Sequence, residues 1–197
     1  MKKEGGISLV AKVLCGIIFL PFWHLQRLLP RRKDLWLFGS WFGQRYSDNS
    51  RAVYEYVLKN LEDIHPVWIT HNNEVYERLK KEGKPVEMAC SAKGRRTCLK
   101  AGVSFITTSP TELNAGYLNG SLMVWLWHGV GIKCAMADEY RFKWEKFSAF
   151  KKFKVRINRL LFPYEAAPRK DYVLNTSVFF NPSFCSMFEV GEDRLWN

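Results

Sequence analysis

Apolar positions along this chain follow two rhythms, and the change from one to the other divides it. From Ile7 to Leu29 hydrophobic residues run with few interruptions, closed by Pro30-Arg31-Arg32-Lys33. From Asp34 onward, short apolar runs alternate with stretches of helical spacing. Asp34–Ser40, Pro66–Thr70, Pro85–Ala89, Val103–Thr108, Leu122–Trp127 and Asp171–Thr176 read as strands, each a compact run bounded by turn formers or charges. Between them lie helix candidates. Ser47-Asp48-Asn49-Ser50 offers N-cap chemistry for a helix through about Asn60, with Val53, Tyr56, Val57 and Leu61 marking its buried face. Glu74–Gly83 is a helix ending in glycine, and Lys93–Lys100 is closed by Gly102. Strands alternating with helices at this spacing predict parallel βαβ units in a doubly wound, Rossmann-like α/β sheet.

The amino-terminal run is short for a membrane span. Between Lys12 and Arg27 only 14 residues carry no formal charge, and they include Pro21, His24 and Gln26. A spanning helix wants roughly 20 predominantly apolar residues. A helix lying in the membrane interface, with basic flanks toward anionic lipid, fits better. A tilted span with Lys12 snorkelling outward and an ordinary helix packed on the domain stay open beside it. No small-residue cleavage site stands between Leu20 and Lys33, which speaks against a signal peptide. The resulting division is a membrane-associating segment over residues 1–33 and a Rossmann-like domain over residues 34–190.

Charge sharpens this picture. The chain of 197 residues carries a formal net charge of +11, which predicts an anionic partner. Most of that charge sits in one place: from Arg141 to Lys170, ten Lys or Arg face only Glu145 and Glu165. Phe147, Phe150, Phe153, Ile157 and Leu161 fall near one helical face of this region, the pattern of a basic amphipathic helix on anionic membrane. Phe147, Phe150, Lys151, Lys152, Phe153, Lys154 and Arg156 are its candidate lipid contacts. The same composition suits nucleic acid, and a solvated face over a core contact explains it too; membrane ranks first because the amino-terminal segment points to the same surface. The five cysteines, Cys15, Cys90, Cys98, Cys134 and Cys185, show neither Cys-x-x-Cys spacing nor a paired framework, so reduced thiols are expected.

The chemistry concentrates at the end of the fifth predicted strand. Trp125-Leu126-Trp127-His128-Gly129-Val130-Gly131-Ile132-Lys133 ends a buried run in a histidine followed by two glycines. Open α/β sheets place ligands at the carboxyl ends of strands, and glycine lets backbone approach them closely. A histidine capping a strand is also a common structural residue, and a lysine here fits a solvent-exposed helix as well as a phosphate contact. None of His24, His65 or His71 forms a metal constellation at recognisable spacing, and no cofactor fingerprint, Walker loop or nucleophile elbow is present. No cofactor and no metal are expected.

Trp127-His128-Gly129 with Lys133, together with Leu35-Trp36-Leu37-Phe38-Gly39-Ser40, Gly43 and Tyr46-Ser47-Asp48-Asn49-Ser50, resembles the CDP-glycerol glycerophosphotransferases. The two blocks stand in that family's order, and the resemblance runs from about Asp34 to the end. It implies the amino-terminal, acceptor-side half of a two-domain GT-B type transferase, with the family's carboxy-terminal nucleotide-binding domain absent from this chain. It further implies transfer of glycerol phosphate or ribitol phosphate from CDP-glycerol or CDP-ribitol to a lipid-linked polyprenyl saccharide acceptor, building a teichoic acid-like or capsular polymer and releasing CMP. By position His128 takes the role of catalytic base. Gly129, Lys133, Gly43, Ser47, Asp48 and Asn49 become substrate contacts, although helix capping alone accounts for Ser47 or Asp48. A second chain supplying the donor domain is an expected partner, as is the cytoplasmic face of the cell membrane. A non-catalytic peripheral membrane-binding module is the alternative.

Overall fold

The computed structural model of the protein describes residues 9–129, 135–166 and 168–197. Helix α1 (Leu9–Leu25) precedes a sheet whose strands are β1 (Arg32–Phe38), β2 (His65–Thr70), β3 (Val86–Met88), β4 (Ala101–Ile106), β5 (Leu122–Trp125), β6 (Tyr172–Leu174) and β7 (Leu195–Trp196). Helices α2 (Asp48–Asn60), α3 (Asn73–Lys81) and α4 (Ala92–Lys100) join the first four strands; α5 (Met136–Trp144), α6 (Ala149–Leu161) and α7 (Pro163–Ala166) lie between β5 and β6, and α8 (Asn181–Phe188) between β6 and β7. The seven strands are ordered β3-β2-β1-β4-β5-β6-β7, and all pair in parallel. This is the Rossmann-like sheet the pattern predicts, with one strand more. Leu195–Trp196 is too short to show a period, and only pairing with β6 makes it a strand.

Each face of the sheet has its own core, because alternate side chains of one strand point opposite ways. Phe38, Phe105 and Val124 face α2 and α3, where Tyr46, Tyr54 and Trp68 meet edge to face. Leu35, Leu37, Ile69, Ile106, Trp125 and Val173 face the other way, onto Cys98 of α4 and Phe184, Met187 and Phe188 of α8.

Two expectations about helices fail for tertiary reasons. Helix α2 buries Ser50, Tyr54 and Val57, while Tyr56 is 62% and Leu61 37% exposed. The inward stripe includes a tyrosine whose hydroxyl donates to Pro85 O (2.9 Å), so a polar tip is satisfied inside the core. Gly102 does not close α4. The helix passes into β4 at Ala101, and Gly102 lies within the strand, where a Cβ would stand 2.5 Å from Arg32 O. The glycine marks close approach of two backbones, not a helix end.

The β4 to β5 crossover, residues 107–121, contains no α-helix; it is built from two 3-10 turns, Pro110–Glu112 and Ala115–Tyr117. Helix α1 packs over it. Phe19 meets Tyr117 and Tyr164 edge to face, and Trp23 is buried. After α1 the chain is locked by polar contacts: Gln26 Nε2 donates to Gly116 O (2.7 Å), and Asn119 donates through its backbone N to Gln26 Oε1 (3.3 Å) and through Nδ2 to Trp23 O (2.7 Å). Arg31 donates to Cys98 O (2.9 Å) and to Asn119 O. Among the described residues no helix is long and apolar enough to cross a membrane.

Candidate functional site

The chain reverses its direction of travel across the sheet between β1 and β4, and the crevice beyond their carboxyl ends is where such folds bind ligands. Four loops converge there: those after β1, β2, β4 and β5. The loop after β1 is unusual backbone. Trp41, Phe42 and Gly43 have φ of 46°, 55° and 74°, in the left-handed region. Gly43 is required: a Cβ would lie 2.2 Å from His71 Cδ2 and 2.8 Å from Glu112 O. Its carbonyl accepts from Thr70 Oγ1 and from His71 N, both at 2.8 Å. Gly43 is buried, and its place in the crevice is to seat this loop against the ends of β2 and β4.

Glu112 organises the β4 side from complete burial. Its carboxylate accepts from Thr107 N, Thr107 Oγ1 and Thr108 N, each at 2.7 Å, and from Thr108 Oγ1. Charge-assisted bonds of this number offset the cost of a buried carboxylate. His71 Nε2 lies 3.0 Å from Thr111 O and 2.8 Å from Leu113 O, so that nitrogen carries the proton. The apolar pattern of the sequence assigns no role to either residue. Ser109-x-x-Glu112 spells a capping box, a signal that was available, though here the carboxylate reaches the strand end instead of the cap.

The two motif blocks meet. Asn49 Nδ2 donates to Leu126 O (3.2 Å) and Trp127 O (3.0 Å), fastening the start of α2 to the backbone that leads into His128. Trp41 lies between the blocks: its Nε1 donates to Asp48 Oδ2 (2.9 Å), and its ring centroid is 5.7 Å from that of His128. Trp127, at φ 52°, is buried and its ring lies tilted against His128 at 4.2 Å, with Phe188 at 5.2 Å edge to face. His128 and Gly129 are exposed, and the imidazole makes no hydrogen bond to any described residue. A histidine lying against two indoles, with neither nitrogen bonded to a described residue, belongs to the side-chain type most often used to accept a proton.

Capping turns out not to explain the serine. Ser47 is the N-cap residue of α2 but makes no side-chain cap bond; its Oγ is shielded from solvent and unpartnered among the described residues. Asp48 has φ 68° and accepts from Trp41 and from Asn49 N (3.1 Å). Lys133 lies outside the described residues. Gly43, Asp48, Asn49 and His128 are therefore brought to one crevice, and Trp41 joins them, flagged in the sequence only by its place between Gly39 and Gly43. Among the described residues no group of three metal-ligating side chains forms, and Cys15, Cys90, Cys98 and Cys185 are free.

The basic region lies elsewhere. The carboxyl end of α6 packs on α1, where a Cβ on Gly16 would be 2.9 Å from Phe162 and 3.0 Å from Leu161. Phe150 and Phe153 are 70% and 60% exposed, and on α1 Ile17 and Ile18 are 53% and 76% exposed. Phe147 precedes the helix and packs on Tyr140 and Trp144 instead.

Compared with known proteins, residues 22–197 match the profile of the CDP-Glycerol:Poly(glycerophosphate) glycerophosphotransferase family. The chain belongs to that family. The match begins within α1, earlier than the motifs alone placed it. No curated protein matches this glycerophosphotransferase-family chain significantly. Solved structures of the wall teichoic acid polymerase TagF are similar in fold. A histidine-to-asparagine variant soaked with CDPG superposes with a TM-score of 0.61 at 19% identity, covering 94% of this chain and 46% of that one. A histidine-to-alanine variant gives 0.60 at 20% identity, covering 97% and 47%. The family member described here thus spans just under half the length of the TagF structures it matches.

Proposed function

We propose that this domain serves the acceptor side of glycerol phosphate or ribitol phosphate transfer, from a CDP-activated donor to a lipid-linked acceptor, in building a cell-surface polymer. The observation that carries the reading is the junction of the two blocks, Asn49 on the Leu126 and Trp127 carbonyls with Trp41 beside His128. An acceptor hydroxyl is a weak nucleophile at neutral pH. His128 takes its proton as the oxygen attacks the donor's β-phosphorus; the bond from that phosphorus to the bridging oxygen breaks and CMP leaves. Gly129 leaves room beside the imidazole, and Asp48 is assigned to polar contact with the acceptor; Ser47 joins it only where the bound acceptor uncovers its shielded Oγ. Lys133 is assigned to the phosphate charge. Gly43 and Asn49 act as positioning residues. Because the chain matches just under half of the TagF structures, we assign the nucleotide to a further segment or a second chain; such positioning of a donor supplies roughly 7–11 kcal/mol in favourable cases.

The exposed apolar side chains of α1 and α6, with Lys151, Lys152, Lys154 and Arg156 on α6, support peripheral attachment to anionic membrane; we assign it to the cytoplasmic face. They also favour the second reading, a membrane-docking module without catalysis. CMP release from CDP-glycerol, with membranes or a lipid-linked disaccharide present, separates the two. Release that falls about 10²–10⁴-fold in His128→Ala supports the transferase. Release unaffected by that substitution removes His128 from the chemistry, and no release alongside vesicle binding removes autonomous activity and leaves a half-enzyme that needs its donor domain, or the docking module.

A further inference from the structure

A cavity of about 650 Å³ runs between α1, the β4 to β5 crossover and α7, and its two ends differ in chemistry. At one end it is walled by Ile18, Phe19, Phe22 and Phe162, and Ile18 and Phe22 also belong to the outward apolar face of α1. At the other end it is lined by His71, Thr111 and Asn114. These are the residues that seat the crevice: His71 N binds Gly43 O, and His71 Nε2 is anchored on the Thr111 and Leu113 carbonyls. The cavity therefore joins the surface assigned to lipid with the loops that carry Trp41 toward His128. Its size falls in the range of small-molecule sites, and an apolar wall with a few polar groups at one end is the lining such sites have.

We infer that this cavity holds the proximal part of the hydrocarbon chain of the lipid-linked acceptor, its polar head directed to the His71 end and its tail leaving beside Ile18 and Phe22. The inference rests on the transferase reading for the identity of the lipid, and on the cavity for its place. Commitment to the acceptor's own chain, and not a bulk phospholipid, follows from where the cavity leads. A bulk acyl chain gains nothing from a path that ends at the loops of the crevice, whereas an acceptor must present its head there while its tail stays in the membrane. Burying the chain's apolar surface drives binding, and the polar lining fixes which end enters.

Two native thiols report on the cavity. Cys15 and Cys90 are both exposed and both line it, at α1 and after β3; Cys90 Sγ lies 3.8 Å from His71 Nδ1. Cys185, on α8, does not line it and serves as the internal control. The experiment measures maleimide labelling of each cysteine by mass spectrometry on the full chain in detergent, with and without a polyprenyl phosphate. Slowing of about tenfold at Cys15 and Cys90, with Cys185 unchanged, is the expected result, as follows when a bound ligand covers most of a site. The protection should fall back about tenfold in Ile18→Glu and Phe22→Glu, where a carboxylate in the apolar end opposes the chain. Both residues have at least 38% of their surface exposed, and an unchanged thermal midpoint verifies the fold. Equal labelling with and without polyprenyl phosphate overturns the inference, and so does protection of Cys15 alone, which means adsorption on α1. Equal protection by a phospholipid overturns the choice of occupant. Protection that persists in His128→Ala, whatever that variant does to CMP release, tests the cavity apart from the transferase reading.

Discussion

The crevice and the α1–α6 surface are both rich in aromatic side chains, and they hold them in opposite ways. In the crevice, Trp41 and Trp127 sit on left-handed backbone, and each is tied by a polar contact: half-buried Trp41 to Asp48, and the carbonyl of buried Trp127 to Asn49, 78 residues away. On α6, Phe150 and Phe153 project from regular helix. Strained backbone persists only where the surroundings over-determine it, so the first arrangement specifies a direction for His128. The second specifies only a face. A lipid surface asks for no more than a face, while proton transfer asks for a hydrogen-bond distance.

The largest expected effect is His128→Ala itself, a loss of about 10²–10⁴-fold in CMP release with the thermal midpoint unmoved. A large drop in midpoint would place the histidine among the structural residues and erase the contrast. Next is Gly43→Ala. With φ 74° and a Cβ 2.8 Å from a backbone oxygen, it should cost about 2 to 3 kcal/mol in denaturant unfolding and lower CMP release with it. Asn49→Leu removes one amide from two carbonyls; about 1 to 3 kcal/mol is expected. Here the sharper readout is kcat against stability, because a purely structural Asn49 would leave kcat of the folded fraction intact. On the other surface, Phe150→Ser with Phe153→Ser should weaken binding to anionic vesicles by about tenfold or more, each phenyl being worth up to about 1.5–3 kcal/mol when buried, and leave unfolding unchanged. If unfolding shifts instead, that face is packed in the protein and not free for lipid.

The smallest effect is a titration. Burial pushes the Cys98 thiol up to about 12 from its ordinary 9. The folded state therefore favours the protonated thiol. Its contribution is complete below about pH 9 and is lost as pH rises toward 12. Cys98→Ala should flatten this alkaline limb of the stability curve, and in the native protein Cys98 should label far more slowly than Cys15 or Cys90.

Much of this molecule is legible in its sequence. Six of the seven strands, their order along the chain, the helices between them and the basic amphipathic character of α6 follow from apolar periodicity and turn chemistry, which are local properties of neighbouring residues. The His128 motif stands out for the same reason, as a strand end that stops in histidine and glycine. What the tertiary structure alone decided is which of these pieces touch. Asn49 finds carbonyls 77 and 78 residues away, Tyr54 and not Tyr56 turns inward because Pro85 O can take its hydroxyl, and α1 settles over a crossover that has no helix of its own. Glu112 becomes the pin of the β4 end because four donors happen to surround it in the folded chain. Those choices depend on satisfying buried polar groups across long separations, and periodicity carries no record of that.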